Sequence, residues 1–325
     1  MTGEKILNYR IENLSEENQL YQSFVATHIL FSKKVVVKNL KPLRSFLEKV
    51  NFNEEIKKLS LIQHPNVITL YDQLETASES YLIFEFLDGK SIRDHIRQVS
   101  GPIPEAKSLA YFQKVLDAFI QIHQKGITGG AINASNILIT EDNNIKVLDL
   151  ALSRFFQELL LKEADLEALS YTSPEVLLGA TSDQRSDIYA LGMLLYHMLT
   201  GVNPYDNLGA EEIKEKVKNE ALPDPTQFYP VISKGMQAIL KKAMAKDPQD
   251  RFPDGRSFRQ ALLELSPAQK KPTEAVVLLN KQTQPEAQTQ TPRPSTPTEY
   301  KFVNLPLFLL IGLLSIMGIM LYVYS

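Results

Sequence analysis

The chain has 325 residues, of which 44% are apolar and 22% charged, with a formal net charge of −3 and a pI near 6.0. This composition excludes wholesale disorder and fibrous repeats, and the near-neutral balance gives no bulk electrostatic case for nucleic-acid binding. Cysteine is absent, which excludes a disulfide framework, thiol catalysis and cysteine-based zinc modules and suits a reducing compartment. The histidines are scattered without helical i, i+4 pairing, so no histidine metal site is expected.

Residues 1–13 are polar and charged, with no apolar signal region. Residues 19–30 and 33–40 alternate at period two with β-branched and aromatic side chains and predict two strands. Leu43, Phe46, Leu47, Val50, Ile56 and Leu59 then recur at helical spacing, and 67–74 and 80–86 read as two further strands. After Gly101 the character changes. Leu109, Phe112, Leu116, Phe119 and Ile122 form one apolar stripe behind the helix-start signal Pro104-Glu105. Residues 187–200 are almost wholly apolar and predict a central, buried helix. The pattern is a β-rich lobe with one helix, followed by a larger helical lobe.

Past residue 265 the composition shifts to Pro, Thr and Gln, including the run QTQTPRPSTPT. Residues 266–300 are therefore expected to be an extended, solvated linker. Residues 302–325 carry no charge and exceed the roughly 20 apolar residues needed to span a bilayer as a helix. Gly312 and Gly318 are too far apart for a GxxxG dimerisation face. Lys270, Lys271, Lys281, Arg293 and Lys301 precede this run and nothing charged follows it, so the N-terminal part is expected on the cytosolic side. The expected topology is a single-pass, tail-anchored membrane protein.

Several short motifs fall in one order. They are Val35-Val36-Val37-Lys38, Glu55 on the following helix, His64-Pro65-Asn66, and Phe84-Glu85-Phe86-Leu87 after a strand. Asn136-Ile137-Leu138, Asp149, Ser173-Pro174-Glu175, the run from Ser186-Asp187 to Gly192, and Asp250-Arg251 follow. Each is weak alone; together the chain resembles the eukaryotic-like Ser/Thr protein kinases of bacteria, membrane-anchored type. The resemblance implies an α+β, bilobal kinase-like fold over 1–265, with an N-lobe at about 9–86, a C-lobe at about 87–265, and a C-terminal transmembrane helix. It also implies that Lys38, positioned by Glu55, would hold phosphates, that Glu85, Leu87 and Leu138 would line a nucleotide site, and that Asn136 and Asp149 would hold Mg²⁺. Glu175 and Arg251 match a buried ion pair, and Asp187 matches an acceptor for backbone N–H groups of the catalytic loop.

The departures decide function. Counting back from Asn136 puts Ala131 where the family has its catalytic aspartate and Asn133 where it has a lysine. Alanine cannot accept the substrate's hydroxyl proton, and positioned acid–base groups contribute roughly 10²–10⁴-fold. Gly129 and Gly130 replace the histidine and arginine before it. Ser15, Glu17 and Leu20 stand at the expected glycines of the phosphate loop, where Glu16 and Glu17 would repel phosphate; no glycine lies between Gly3 and Gly89. Asp149-Leu150-Ala151 replaces Asp-Phe-Gly, and Glu167-Ala168 replaces a Gly-Thr pair. Val36 would crowd the adenine side. The reading is a pseudokinase acting as a signalling scaffold or protein-binding module at the cytosolic membrane face, with no catalytic residue. ATP and Mg²⁺ are the only cofactors in view, bound weakly or not at all. Two alternatives stay open: an atypical ATP-dependent Ser/Thr kinase using Lys38, Asn136 and Asp149, and a kinase-like fold with no nucleotide role.

Overall fold

The computed structural model describes residues 5–17, 21–40, 52–76, 79–99, 101–129, 132–150 and 165–265. The expected linker at 266–300, the expected span at 302–325, Ala131 and the side chain of Glu55 lie outside them. Among the described residues no helix is long and apolar enough to cross a membrane.

The first lobe is a six-stranded antiparallel sheet of β1 (Lys5–Ile6), β2 (Tyr9–Glu17), β3 (Gln22–His28), β4 (Lys34–Asn39), β5 (Leu70–Glu75) and β6 (Ser80–Glu85). Its order is β1-β2-β3-β4-β6-β5, with helix α1 (Phe52–Ser60) in the connection from β4 to β5. Alternation gives β3 and β4 two distinct faces. Phe24, Ala26, Val35 and Val37 join Tyr9, Ile11 and Ile83 in one apolar core. Ser23 and Val25 pair with Lys38 and Val36 on the opposite face. That second face carries the candidate site.

The first two strands are a departure from the sequence reading, which placed nothing regular before residue 19. Only Tyr9 and Ile11 of β2 point inward, and register shifts after Ile11 and Leu14 break its period-two pattern.

The second lobe begins with β7 (Gly89–Ser91), which forms a three-stranded sheet with β8 (Ile137–Thr140) and β9 (Ile145–Val147). Around these run α2 (Ile92–Val99), α3 (Glu105–Gln124), α4 (Leu166–Tyr171), α5 (Pro174–Leu177), α6 (Gln184–Thr200), α7 (Ala210–Asn219), α8 (Lys234–Ala243) and α9 (Gly255–Leu265). Helix α6 is the central helix expected from its apolar run, and every residue from Ser186 to Thr200 is buried. Such a helix has no solvated face, so its ends must be satisfied locally. Asp183 caps the start through the backbone N–H groups of Arg185 and Ser186, while Ser186 returns a hydroxyl in a capping box.

The other end stops at Gly201, which adopts the left-handed conformation at φ 72°. A Cβ there would also lie 2.7 Å from Gly101 C and Pro102 N. Both strain and crowding oppose a side chain, so Gly201→Ala is expected to lose roughly 2–4 kcal/mol in urea unfolding.

Candidate nucleotide site

The inner face of the N-lobe sheet meets the second lobe at Asp149. This residue adopts a left-handed backbone conformation, φ 54°, which is uncommon without glycine. Its carboxylate forms a buried ion pair with Lys38, through Oδ1. The Tyr21 hydroxyl donates to Asp149 Oδ2 at 3.1 Å and also lies 3.0 Å from Glu16 Oε1, one proton serving two carboxylates. Lys38 Nζ sits 3.9 Å from the centre of the Tyr21 ring, a cation–π contact. Tyr21, Lys38 and Asp149 are all buried. The lysine expected to hold phosphates is thus sandwiched between an aromatic face and a carboxylate of its own chain.

The sequence reading missed Tyr21. It placed the lost phosphate loop at Ser15, Glu17 and Leu20, but Ser15 and Glu17 belong to β2, where the Ser15 hydroxyl donates to Ser23 O at 2.9 Å; Leu20 lies outside the described residues. The signal was period two: Tyr21 precedes Ser23 and Val25 by even steps, so it shares their face with Lys38.

The other expected residues divide. Asn136 precedes β8, its N–H held by Asn133 Oδ1 at 2.9 Å and its carbonyl accepting from Leu148 N at 2.8 Å. Asn133 therefore turns its side chain into its own loop. Glu85 gives its carboxylate to Lys146 Nζ, 2.7 Å away, and to the Thr69 N–H and hydroxyl at 2.8 and 3.0 Å. These partners hold the Glu85 carboxyl below the usual carboxylate range, although burial pushes the other way. Leu87 and Leu138 are half-buried. Mg²⁺ prefers several oxygen ligands, of which a site with bound nucleotide takes one or two from carboxylates. Here both Asp149 oxygens are engaged by hydrogen-bond donors, so this arrangement does not fit the ion. Among the described residues no group of three or more His, Cys, Asp or Glu side chains could hold a metal either.

Glu175, Arg251 and Asp187, expected to serve the fold, make the following contacts. Arg251 is fully buried and donates from Nη1 and Nη2 to the two Glu175 oxygens, each at 2.7 Å. Its remaining N–H groups reach the carbonyls of Ala245, Arg185 and Lys246. Asp187 accepts from the Gly129 N–H at 3.1 Å and lies 2.8 Å from His123 Nε2. Sequence reasoning did not find a third cluster. Glu167 of α4 forms an ion pair with Arg93 of α2 and accepts from the Ser135 hydroxyl at 2.7 and 2.9 Å. Burial pushes the Glu167 carboxyl up despite these partners. The cluster ties the loop before β8 to helices on both sides.

Beneath it the Tyr171 hydroxyl meets His197 Nδ1 at 2.7 Å. Burial, then the charges of Arg93 and Arg97, lower the His197 pKa to about 4. The unfolded chain protonates this ring near 6.5, so the stability it contributes is complete above that pH and is lost as pH falls from 6.5 towards 4. About 2 kcal/mol should be missing at pH 5 relative to pH 7 from this residue. Urea unfolding of the chain and of His197→Gln at both pH values should show the difference shrink in the variant.

Comparison with known families identifies the fold. The family model of the protein kinase domain matches residues 22–262. The chain belongs to that family. Among curated relatives, the serine/threonine-protein kinase PrkC of Bacillus subtilis is 29% identical over 70% of this chain and 36% of its own length. The serine/threonine-protein kinase PknB of Mycobacterium leprae is 29% identical over 71% of this chain and 38% of its own. The chain thus matches little more than a third of the length of these relatives. The PknI kinase domain of Mycobacterium tuberculosis superposes with a TM-score of 0.66 at 22% identity, covering 82% of this chain and 99% of that one, a likeness of fold.

Proposed function

We propose that this chain is a kinase-fold protein-binding module that transfers no phosphoryl group, held at the cytosolic face of a membrane through residues 302–325. The observation that carries the reading is the closure of Lys38 and Asp149 on each other beneath Tyr21. An incoming triphosphate must break a buried ion pair, displace an aromatic ring from the lysine and pass Glu16. Ala131 adds a second, independent loss, because it stands in sequence where the family has its catalytic aspartate and supplies no base. The apolar run at 302–325 and the basic residues before it support the membrane placement.

A second reading is an atypical ATP-dependent Ser/Thr kinase. It is favoured by the retained Lys38, Asn136 and Asp149 and by relatives that are named as Ser/Thr kinases. Thermal unfolding with ATP and Mg²⁺ separates the two. A ligand at 100 times its dissociation constant stabilises by about 2.7 kcal/mol, a shift of several degrees. No Mg²⁺-dependent shift is expected at millimolar ATP. A large shift at micromolar ATP that vanishes in Lys38→Ala would favour the second reading.

A further inference from the structure

Two neighbouring turns at one end of the N-lobe sheet present apolar side chains to solvent. Leu7 lies in the turn between β1 and β2, and Ile29, Leu30 and Phe31 form the tip between β3 and β4. They are 60%, 46%, 77% and 72% exposed, and among the described residues no other run of consecutive large apolar residues is exposed. Single exposed apolar residues are ordinary; a run of them at a hairpin tip is not. The Ile29 N–H donates to Asn8 O at 2.8 Å and ties the two turns together.

The backbone donors of the tip are satisfied within the protein. The His28 N–H reaches Lys33 O at 2.9 Å, and the Ser32 N–H returns to His28 O at 2.9 Å. The Leu30 and Phe31 N–H groups both donate to His28 Nδ1, at 3.2 and 3.3 Å. Such a loop can leave water without stranding its N–H groups. Leu7 takes a left-handed backbone, φ 50°, so the neighbouring turn presents an apolar side chain at the cost of local strain.

The charge around the tip is one-sided. Residues 5–11 and 22–40 contain no Asp or Glu, while Lys5, Arg10, Lys33 and Lys34 are exposed. On the flanking strands, Glu12 of β2 accepts from the Thr27 hydroxyl and Asp72 stands on β5. An apolar tip rimmed by cations complements anionic headgroups above an acyl layer.

We propose that Leu7, Ile29, Leu30 and Phe31 insert into the headgroup boundary of an anionic bilayer, with Lys5, Arg10, Lys33 and Lys34 on its phosphates. The N-lobe then faces the membrane. Four side chains bind only marginally alone, so the tip is the second contact of a two-part attachment. The inference rests on the proposed anchoring of residues 302–325, which holds a bilayer at high local concentration.

The chain contains no tryptophan, so Leu30→Trp places a single reporter at the tip. Val231→Trp, at a 70% exposed position of the second lobe, is the control. Each full-length variant is reconstituted into vesicles of phosphatidylcholine and phosphatidylglycerol, with and without brominated acyl chains. Emission from Leu30→Trp should shift to the blue and lose about half its intensity to brominated lipid, and Val231→Trp should do neither. Neutral phosphatidylcholine vesicles, or Lys33→Gln with Lys34→Gln added, should each cut that quenching several-fold. Quenching that is absent, equal at both positions, or unmoved by either loss of charge would overturn the proposal. So would a blue shift without quenching, which means that protein, such as a second copy of the chain, covers the tip. Carbonate extraction of the same vesicles reads the anchor separately. Release of the chain there would sink the anchoring of 302–325, while the quenching measured beforehand still decides the tip.

Discussion

Glu175→Ala is expected to remove about 3–5 kcal/mol of stability, enough to leave much of the chain unfolded under ordinary conditions. The reason lies with the partner. Arg251 is fully buried, and without the carboxylate its charge would face the carbonyls of Ala245, Arg185 and Lys246 and the Tyr189 ring 5.1 Å away, with no counter-charge. The Ser186 hydroxyl, which donates to Glu175 Oε1 at 2.9 Å, would lose its nearer acceptor and keep only Asp183 Oδ1 at 3.3 Å. Replacing both partners with apolar residues, as in Glu175→Leu with Arg251→Met, should recover most of the loss, since no unpaired charge remains. Urea unfolding of the two single variants and the double variant checks this. Additive losses would show that the ion pair is not what ties α5 to the segment at 245–251.

Lys38→Met should be nearly as costly, about 3 kcal/mol, although Lys38 stands where the family holds phosphates. Its ammonium neutralises a buried carboxylate, and Met leaves Asp149 with only the Tyr21 hydroxyl. Asp149→Asn added to Lys38→Met should restore stability, because a neutral amide needs no counter-charge. If Lys38→Met unfolds at the same urea concentration as the parent chain, the pair contributes nothing and the site is not held shut by it.

Much of the fold was legible because its elements carry strong local patterns. The apolar stripe after Pro104 became α3, and the unbroken apolar run became α6 with Asp187 in its first turn. The Glu175–Arg251 pair was legible only through motif order, as the partners are remote in sequence. Strand β2 was hidden by its own irregularity, since two register shifts spoil the alternation that betrays a strand. Tyr21 was hidden differently. The search at that place was for missing glycines, and the side chain that replaced them matters more than their absence. The cluster of Arg93, Ser135 and Glu167 joins three elements with no shared local pattern, so only the folded chain brings it into view. Arg97 and His197 went unnoticed for the same reason.

Phosphoryl transfer is the most direct measurement. The full chain in detergent is incubated with labelled ATP, Mg²⁺ or Mn²⁺, and a generic protein acceptor, beside Asp149→Ala and Tyr21→Ala. Ala131 supplies no base and Tyr21 covers Lys38 and Asp149, so incorporation should stay at background in all three. Robust incorporation by the parent chain that disappears in Asp149→Ala would contradict the non-catalytic reading and establish an atypical kinase in its place.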